Sequence, residues 1–386
     1  MGHYGDFQNA IYLAGTQGIV PKLPVDFATL EARAKDAMPP AVRDYVMGGC
    51  GDEFTQDENA RGFHRYGMVP RMLVDGTTRD LSIELFGRRL PSPIFMSPIG
   101  VAGIATPDGH GDLAAAKASA LTGVPLMAST LSNDPLEAVY EATADTPAWF
   151  QLYTPRDPEL AASLVARAEA AGYEAIVVTL DTWVTGWRPR DLNAGNFPQL
   201  KGAVLQNYFS DPVFQQRLGC APADNPAAAI GLWVQSFGKV LTWSDLPWLR
   251  SLTKLPIVLK GICHPDDARR AVDAGIDAIF CSNHGGRQAN GGIAAIDMLA
   301  DVVAASGGVP VLFDSGIRSG SDVVKALALG AHAVGIGRPW LYGLALDGAE
   351  GAAHVLRCIL AEADLLMAVN GCPTIEAVRA EGVRRL

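Results

Sequence analysis

The chain has 386 residues, of which 49% are hydrophobic and 19% are charged, and this composition is typical of a soluble globular protein. Its net charge of −10 argues against nucleic acid or an anionic membrane surface as the main partner. No apolar run reaches the roughly 18 residues that a membrane-spanning helix needs, and the 6 cysteines have neither metal-ligand nor disulfide spacing. We therefore expect a cytoplasmic protein with reduced thiols and no metal site.

The N-terminal segment, residues 1–93, is predicted to precede the main part of a single domain. Residues 1–25 look extended and rich in turns, because glycine and proline interrupt them. Residues 29–45 carry apolar side chains at helical spacing, and two prolines at 39 and 40 divide that stretch into two helices. Tyr45 comes near the end of the second helix, from where its phenol can reach a neighbouring cavity.

A regular alternation of strand and helix begins at residue 94. Eight short apolar runs are separated by alanine-rich segments, and the runs cover residues 94–97, 125–129, 148–152, 175–180, 256–260, 278–282, 310–314 and 333–337. Eight such units predict an α/β fold, a closed (β/α)8 TIM barrel over residues 94–345, followed by a C-terminal helical segment at 346–386. A doubly wound open sheet is the alternative, but eight regular units favour closure.

Residues 182–255 interrupt the alternation, because they separate the fourth and fifth strands by far more than one helix and two loops require. The segment contains many aromatic residues as well as proline and glycine, so we expect it to be ordered in part. We interpret it as a lid insertion over the carboxyl ends of the strands. A role in contacts between subunits is an equal alternative, and the two roles are compatible.

The active site of such a barrel lies where the strands end at their carboxyl side, so the residues that follow the apolar runs form one set. The members with candidate roles are Pro98, Ile99, Gly100, Ser129, Leu131, Gln151, Tyr153, Thr179, Asp181, Lys260, Ser282, His284, Arg287, Asp314, Ser315, Gly316, Arg318, Gly337 and Arg338. The loops after strands seven and eight each combine glycine with an arginine, and such loops predict a phosphate cradle. Two structural arginines that pair with acidic helix ends are the alternative.

His284 is the best candidate for a general base among the 7 histidines, because Arg287, Lys260 and Asp181 are expected close to it. Asp181 could hold the imidazole in one tautomer and stabilise its protonated form. His110 and His264 also follow strands, but each lies at the start of a helix, where a capping role or a supporting role behind the catalytic residues is the better interpretation.

Lys260 ends a buried run, which allows three roles. It could be a Schiff-base nucleophile, a cation that stabilises negative charge on a cofactor, or a structural ion-pair partner. Arg188 lies at the start of the lid and could clamp a substrate carboxylate together with Arg287. The nearby Arg190 is interpreted instead as a structural partner of Asp191.

Four motifs in this set carry a family resemblance. They are Ser-Asn-His-Gly-Gly-Arg-Gln at 282–288, Leu-Lys-Gly at 259–261, Phe-Asp-Ser-Gly-Ile-Arg at 313–318 and Gly-Ile-Gly-Arg-Pro at 335–339. With them the chain resembles the FMN-dependent L-2-hydroxy acid oxidising family of glycolate oxidases, lactate oxidases and mandelate dehydrogenases, from about residue 25 to the C-terminus. Within that family it is most similar to the L-lactate 2-monooxygenases, through segments 5–12, 185–192 and 207–215.

The resemblance implies a cofactor and a role for each residue. It implies FMN, bound by Pro98, Ile99, Gly100, Ser129, Gln151, Thr179, Lys260, Ser282, Asp314, Ser315, Gly316, Arg318, Gly337 and Arg338. It also implies that His284 takes the proton of the substrate hydroxyl, with Asp181, Tyr45 and Lys260 as further catalytic residues. The implied substrate-binding residues are Tyr45, Tyr153, Arg188, Arg287 and Leu131, the last of which stands where lactate monooxygenases also have leucine.

The resemblance finally implies an activity. We expect oxidation of a small L-2-hydroxy acid, foremost L-lactate, with O2 as acceptor and decarboxylation to acetate, CO2 and water. The alternatives are an oxidase that releases the keto acid and H2O2, a mandelate-type dehydrogenase, a Schiff-base or PLP enzyme that uses Lys260, and a barrel without catalytic function. The family also implies a homotetramer or homo-octamer.

Overall fold

The computed structural model describes residues 3–386 and contains a closed barrel of parallel strands. Its strands, numbered β1 to β8 in chain order, are Ile94–Met96, Leu126–Ser129, Ala148–Leu152, Ile176–Thr179, Ile257–Lys260, Ala278–Cys281, Val311–Phe313 and Ala333–Ile336. The barrel closes because β8 pairs with β1, with Val334 beside Ile94. The predicted (β/α)8 fold and its eight strands are confirmed, and the open-sheet alternative is wrong.

The strands form continuous apolar runs because each is covered on both faces. Helices cover the outside of the barrel, and side chains fill its interior, so every strand residue is buried. At the centre, the ring of Phe95 lies 5.4 Å from those of both Trp149 and Phe280. This packed interior gives the strand ends a rigid base.

Helices alternate with the barrel strands. They are Ala102–Ala105 and Gly111–Thr122 after β1, Leu136–Glu141 after β2, Pro158–Ala171 after β3, Pro265–Asp273 after β5, Ala295–Ala305 after β6, Gly320–Ala328 after β7 and Arg338–Val369 after β8. The His264 side chain accepts the N–H of Asp266 at 3.1 Å, which confirms its predicted capping role. The chain then continues through the helix Ile375–Glu381.

The N-terminal segment is more helical than predicted. A helix at Asp6–Gly15 occupies part of the stretch that the sequence predicts as extended, while residues 1 and 2 lie outside the described part of the chain. This helix packs against the long helix Arg338–Val369, where the ring of Phe7 lies edge-on to that of His354 with the ring centres 5.9 Å apart. Tertiary packing therefore overrides the local glycine and proline signals.

The predicted helix pair on either side of the two prolines is confirmed as Phe27–Ala37 and Pro40–Met47, and a further helix follows at Phe54–Gly62. Two short antiparallel pairs complete this part of the fold, Ile83–Leu85 with Arg88–Leu90 and Tyr66–Gly67 with Arg384–Arg385. Within residues 3–386, no helix combines the length and apolar character needed to cross a membrane.

The predicted insertion between β4 and β5 is folded as a series of short helices joined by turns and irregular segments. The α-helices are Pro189–Asn193, Gln206–Phe209, Pro212–Leu218, Pro226–Ser236 and Leu246–Ser251, and the 3-10 turns are Pro198–Lys201 and Trp243–Asp245. Several of its side chains lie over the carboxyl ends of the strands, where they line the cavity described below.

Candidate active site

A cavity opens at the carboxyl ends of the barrel strands. It encloses about 1090 Å³ of empty space, counting its solvent-open mouth. The predicted site residues that line it are Tyr45, Pro98, Ile99, Gly100, Leu131, Tyr153, Arg188, Lys260, His284, Arg287, Asp314, Ser315, Gly316, Arg318, Gly337 and Arg338. The structure thus brings most of the predicted set into one site.

Three predicted cofactor residues lie behind the cavity wall instead of in it. Ser129, Gln151 and Thr179 end the neighbouring strands β2, β3 and β4 and form a hydrogen-bonded row. Ser129 Oγ donates to Gln151 Oε1 and Gln151 Nε2 donates to Thr179 Oγ1, each at 3.0 Å. A Cβ added to the cavity-lining Gly100 would lie 3.3 Å from Ser129 Oγ, so the row is close behind the wall.

His284 and Asp181 come together across the mouth of the barrel. His284 Nδ1 lies 2.8 Å from Asp181 Oδ1 and 3.2 Å from Thr182 Oγ1. A carboxylate at Nδ1 makes that nitrogen the N–H donor, which leaves the lone pair on Nε2. Within residues 3–386 no group hydrogen-bonds to Nε2, and the ring lines the cavity. The imidazole can therefore accept a proton from a molecule in the cavity.

The surroundings keep this imidazole neutral. Burial lowers the pKa of His284, the positive charges of Lys260 and Arg188 lower it further, and Asp181 opposes them. Burial alone would raise the pKa of Asp181. The charge of the imidazole in the acid range where His284 is protonated, the charge of Lys260, and the hydrogen bonds from His284 and Thr182 outweigh burial and hold that pKa well below its usual range. At neutral pH the pair is thus an uncharged base beside an ionised carboxylate.

Lys260 ends β5 between these two partners. Its Nζ donates to Ser282 Oγ at 3.1 Å, so the predicted Ser282 also lies at the site. The side chain is buried, and within residues 3–386 no carboxylate pairs with its amine in a salt bridge. Since a structural ion pair is absent there, the contacts favour a role toward a ligand.

Arg188 and Arg287 are the predicted carboxylate clamp, and they lie side by side. Arg188 Nε donates to the carbonyl of Arg287 at 3.0 Å, and the Arg287 guanidinium lies 5.0 Å from the ring centre of Tyr45. Burial lowers the pKa of Arg287 to about 10, and the charge of Arg188 contributes to this. Arg188 is buried and Arg287 is half-buried, and neither forms a salt bridge in the described chain, which favours an anionic ligand beside them.

The predicted pairing of Arg190 with Asp191 is wrong. Arg190 Nη2 instead contacts Glu53 Oε2 at 2.5 Å, while Asp191 is buried on the other side of the short helix Pro189–Asn193. Adjacent residues of a helix do not face each other, which explains the separation.

Tyr45 is oriented by a lid residue that the sequence analysis missed. Gln199 is 1% exposed, and its Nε2 donates to Tyr45 Oη at 3.3 Å, while Arg188 Nη1 donates to the same oxygen at 3.5 Å. These two donors occupy the lone pairs of the phenol oxygen. The Tyr45 hydroxyl proton is therefore left to donate into the cavity.

A further part of the cavity wall is built from the glycine-bearing loops after β7 and β8. Gly337 immediately precedes the helix Arg338–Val369, and a Cβ added to it would meet no atom within 4 Å, although the residue lines the cavity. Gly316 has a φ of +100°, and its Cβ would come within 2.2 Å of the Asn59 carbonyl oxygen. Open space before a helix N-terminus suits a phosphate group.

The two arginines of these loops have no carboxylate partners in the described chain. Arg338 donates to the carbonyls of Val46, at 3.2 Å, and Gly285, at 3.3 Å. Burial lowers the pKa of Arg338 to about 9. Arg318 donates to the carbonyl of Ile317 and stacks 4.8 Å from the ring centre of Phe27. Pairing with acidic helix ends is therefore wrong, and the donor set fits a phosphate ester such as that of FMN.

Further residues line the cavity without having been predicted as site residues. They are Val46, Ser97, Val101, Thr182, Thr185, Phe197, Gln199, Trp233, Phe237, Gly285 and Leu341. Most belong to the lid. The rule that active-site residues follow the barrel strands does not apply to that segment. The aromatic content of the lid was the available signal for Phe197, Trp233 and Phe237.

Known proteins resemble the chain over nearly its whole length. A sequence model of the family described as FMN-dependent dehydrogenase matches residues 34–385. An L-lactate oxidase of Lysinibacillus sphaericus is 41% identical over 358 residues, which cover 92% of this chain and 92% of that protein. An FMN-dependent alpha-hydroxy acid dehydrogenase of Penicillium citrinum is 38% identical over 390 residues, which cover 100% of this chain and 96% of the relative.

Solved structures agree with these relatives. A mandelate oxidase with benzoyl-formic acid superposes with a TM-score of 0.82 at 38% sequence identity, covering 94% of this chain and 99% of that one. The similarity therefore includes the barrel, the lid and the C-terminal helices together.

The Asp181–His284 pair predicts the direction in which the pH dependence of the rate shifts when Asp181 is replaced. Because Asp181 raises the pKa of His284, Asp181→Asn should move the acid limb of the kcat/KM profile for a 2-hydroxy acid substrate to lower pH and reduce the maximal rate, since the base is weaker. Initial rates measured from about pH 4 to about pH 9, at intervals of about one pH unit, would show this shift. A shift of the limb to higher pH would contradict the assigned charge state.

The orientation of Tyr45 predicts the effect of changing Gln199. A carboxylate in Gln199→Glu would accept the Tyr45 proton and turn it away from the cavity, so KM for a 2-hydroxy acid substrate should rise by about tenfold or more, with a smaller change in kcat. The neutral Gln199→Leu should have no further effect in a Tyr45→Phe background. Additive effects in that double-mutant cycle would show that Gln199 does not act through Tyr45.

Proposed function

The chain belongs to the FMN-dependent dehydrogenase family, and on that premise we propose that it is an L-lactate 2-monooxygenase. The overall reaction would convert L-lactate and O2 into acetate, CO2 and water. FMN is its cofactor, which displaces the Schiff-base interpretation of Lys260. A homotetramer or homo-octamer stays a prediction from the resemblance, and a cytoplasmic location stays a prediction from the sequence composition.

The residues around the cavity fit this cofactor. Arg318, Arg338 and the helix N-terminus after Gly337 would hold its phosphate, because they combine positive charge with open space. Lys260 and the row behind the wall would hold its ring. When bound there, FMN supplies the acceptor for the two electrons that leave the substrate's C2 carbon.

The same cavity supports a 2-hydroxy acid as substrate. Arg188, Arg287 and the Tyr45 hydroxyl would bind the carboxylate, since all three offer donors to the cavity. His284 Nε2 would then accept the proton of the 2-hydroxyl group, and Asp181 would stabilise the resulting imidazolium. The positive charge of Lys260 would oppose negative charge that develops beside it.

Crowding at the lid supports a small side chain on the substrate. The rings of Tyr153 and Phe237 lie 5.4 Å apart, and those of Phe237 and Trp233 lie 5.1 Å apart. Together with Leu131, these side chains wall one side of the cavity. A methyl group suits such a wall better than a phenyl group, which supports L-lactate over mandelate.

The observation that carries the monooxygenase proposal is the lid. Phe197, Gln199, Trp233 and Phe237 all come from the insertion and line the cavity, and one of them is hydrogen-bonded to Tyr45. A covered cavity would retain the keto acid until oxygen has reacted, whereas an open one would release it. Retention is the difference between decarboxylation and simple oxidation.

Product analysis tests this proposal. Protein, L-lactate and oxygen are incubated with and without catalase, and acetate, CO2, pyruvate and H2O2 are measured at early times, because H2O2 free in solution decarboxylates free pyruvate to acetate and CO2. Acetate formation that persists in the presence of catalase is formed by the enzyme. We expect acetate and CO2 in equal amounts with one O2 consumed for each lactate. Stoichiometric pyruvate and H2O2 would establish an oxidase instead. Reduction of an added dye without oxygen uptake would establish a dehydrogenase.

A further inference from the structure

The lid is fastened to the loop after β2 by a buried asparagine of the lid. We call residues 130–134 the β2 loop. Asn207 is 0% exposed, and its Nδ2 donates to the carbonyls of Ser129 at 3.2 Å and Thr130 at 3.0 Å. Its Oδ1 accepts the N–H of Leu136 at 2.7 Å. One amide thus holds both ends of the β2 loop.

A second asparagine makes the reverse connection. Asn133 belongs to the β2 loop, and its Oδ1 accepts the N–H of Val204 in the lid at 2.7 Å. Its own N–H donates to Asp112 Oδ2 at 2.9 Å, which ties it to the barrel helix Gly111–Thr122. Between the two asparagines, the N–H of Gln206 donates to the carbonyl of Ser132 at 2.9 Å.

A barrel helix holds the outer side of the same lid segment. Arg167, in the helix Pro158–Ala171, donates to the carbonyl of Asn207 at 2.8 Å and to Ser210 Oγ at 2.9 Å. It also pairs with the buried Asp211 at 3.2 Å. The centre of the lid therefore has a fixed anchor, against which the cavity-lining parts on either side are supported.

The β2 loop carries a wall of the substrate cavity. Leu131 is buried at its centre and lines the cavity, and its N–H donates to Ser129 Oγ at 3.1 Å. Its Cβ is so close to Gly100 that a Cβ added there would lie 2.9 Å away. Leu131 thus has little freedom of its own, and its position follows that of the loop and the lid that holds it.

We propose that Asn207 and Asn133 are positioning residues that couple the lid to the Leu131 wall and thereby slow the escape of the keto acid. The proposal rests on the proposed function for its effect on the products, but its effect on keto acid binding does not depend on the fate of oxygen. Loss of the hydrogen bonds of either asparagine should let the Leu131 wall and the lid separate, so that bound pyruvate dissociates faster.

Two variants weaken the connection from opposite sides. Asn207→Asp keeps the size and the bond to Leu136, but it sets a carboxylate oxygen against two carbonyls that it cannot bond. Asn133→Ala removes the acceptor of the Val204 N–H from the loop side. Asn225→Ala is the matched control, because Asn225 caps the lid helix Pro226–Ser236 through the N–H of Ala228 and makes no bond to the β2 loop.

The test measures two quantities on FMN-loaded protein. The dissociation constant of pyruvate comes from the perturbation of the flavin spectrum, and the product partition comes from the ratio of pyruvate to acetate during turnover. We expect both variants to bind pyruvate about tenfold more weakly and to raise that ratio about tenfold, with Asn225→Ala like the wild type.

The outcomes separate this proposal from the proposed function. If the wild type releases pyruvate, the monooxygenase proposal fails and the dissociation constants alone decide about the asparagines. Should Asn207→Asp fail to bind FMN, Asn133→Ala decides. Wild-type pyruvate affinity in the folded, FMN-loaded variants would overturn the positioning role, and so would an equal change in Asn225→Ala, which would indicate general loosening of the lid.

Discussion

The hydrogen bond between Asp181 and His284, 2.8 Å long, is the interaction on which the site depends. The two residues follow β4 and β6, and β5 between them delivers Lys260. Barrel closure therefore fixes the spacing of base, carboxylate and cation. The carboxylate sets the tautomer that leaves Nε2 free, while burial and nearby cations keep the ring neutral. A neutral base among positive charges is suited to taking a proton from an anionic substrate.

An excess of positive charge in the cavity favours the binding of anionic groups there. Arg188, Arg287, Arg318 and Arg338 all line the cavity, and none of them forms a salt bridge within the described chain. Arg287 and Arg338 are close neighbours, because both donate to the carbonyl of Gly48. Uncompensated charge that is removed from solvent destabilises the folded state, so anions that bind there stabilise it. A substrate carboxylate and the phosphate of FMN would both meet this requirement.

The barrel and most of the residues at its strand ends could be predicted from the sequence. The spacing of apolar runs along the chain indicates the strands, and the position of a residue just after such a run places it at the active-site end of the barrel. An apolar run that stops in polar residues is a local signal, and closure of the sheet brings all eight ends together. Gln199 had no such signal, since its approach to Tyr45 depends on how the lid folds back over the barrel. The prediction of an extended N-terminal stretch, where the helix Asp6–Gly15 lies, and the predicted pairing of Arg190 were wrong. Both the helix and the ion pair of Arg190 depend on contacts between residues distant in sequence.

We propose that His284 accepts the substrate proton while the electrons pass to FMN. Anaerobic mixing of FMN-loaded His284→Gln with L-lactate, monitored by the loss of flavin absorbance, is the decisive experiment, because glutamine can keep a hydrogen bond to Asp181 but is not a base. We expect wild-type FMN content and pyruvate affinity, with flavin reduction slowed by about 100-fold or more. Reduction at the wild-type rate would contradict it.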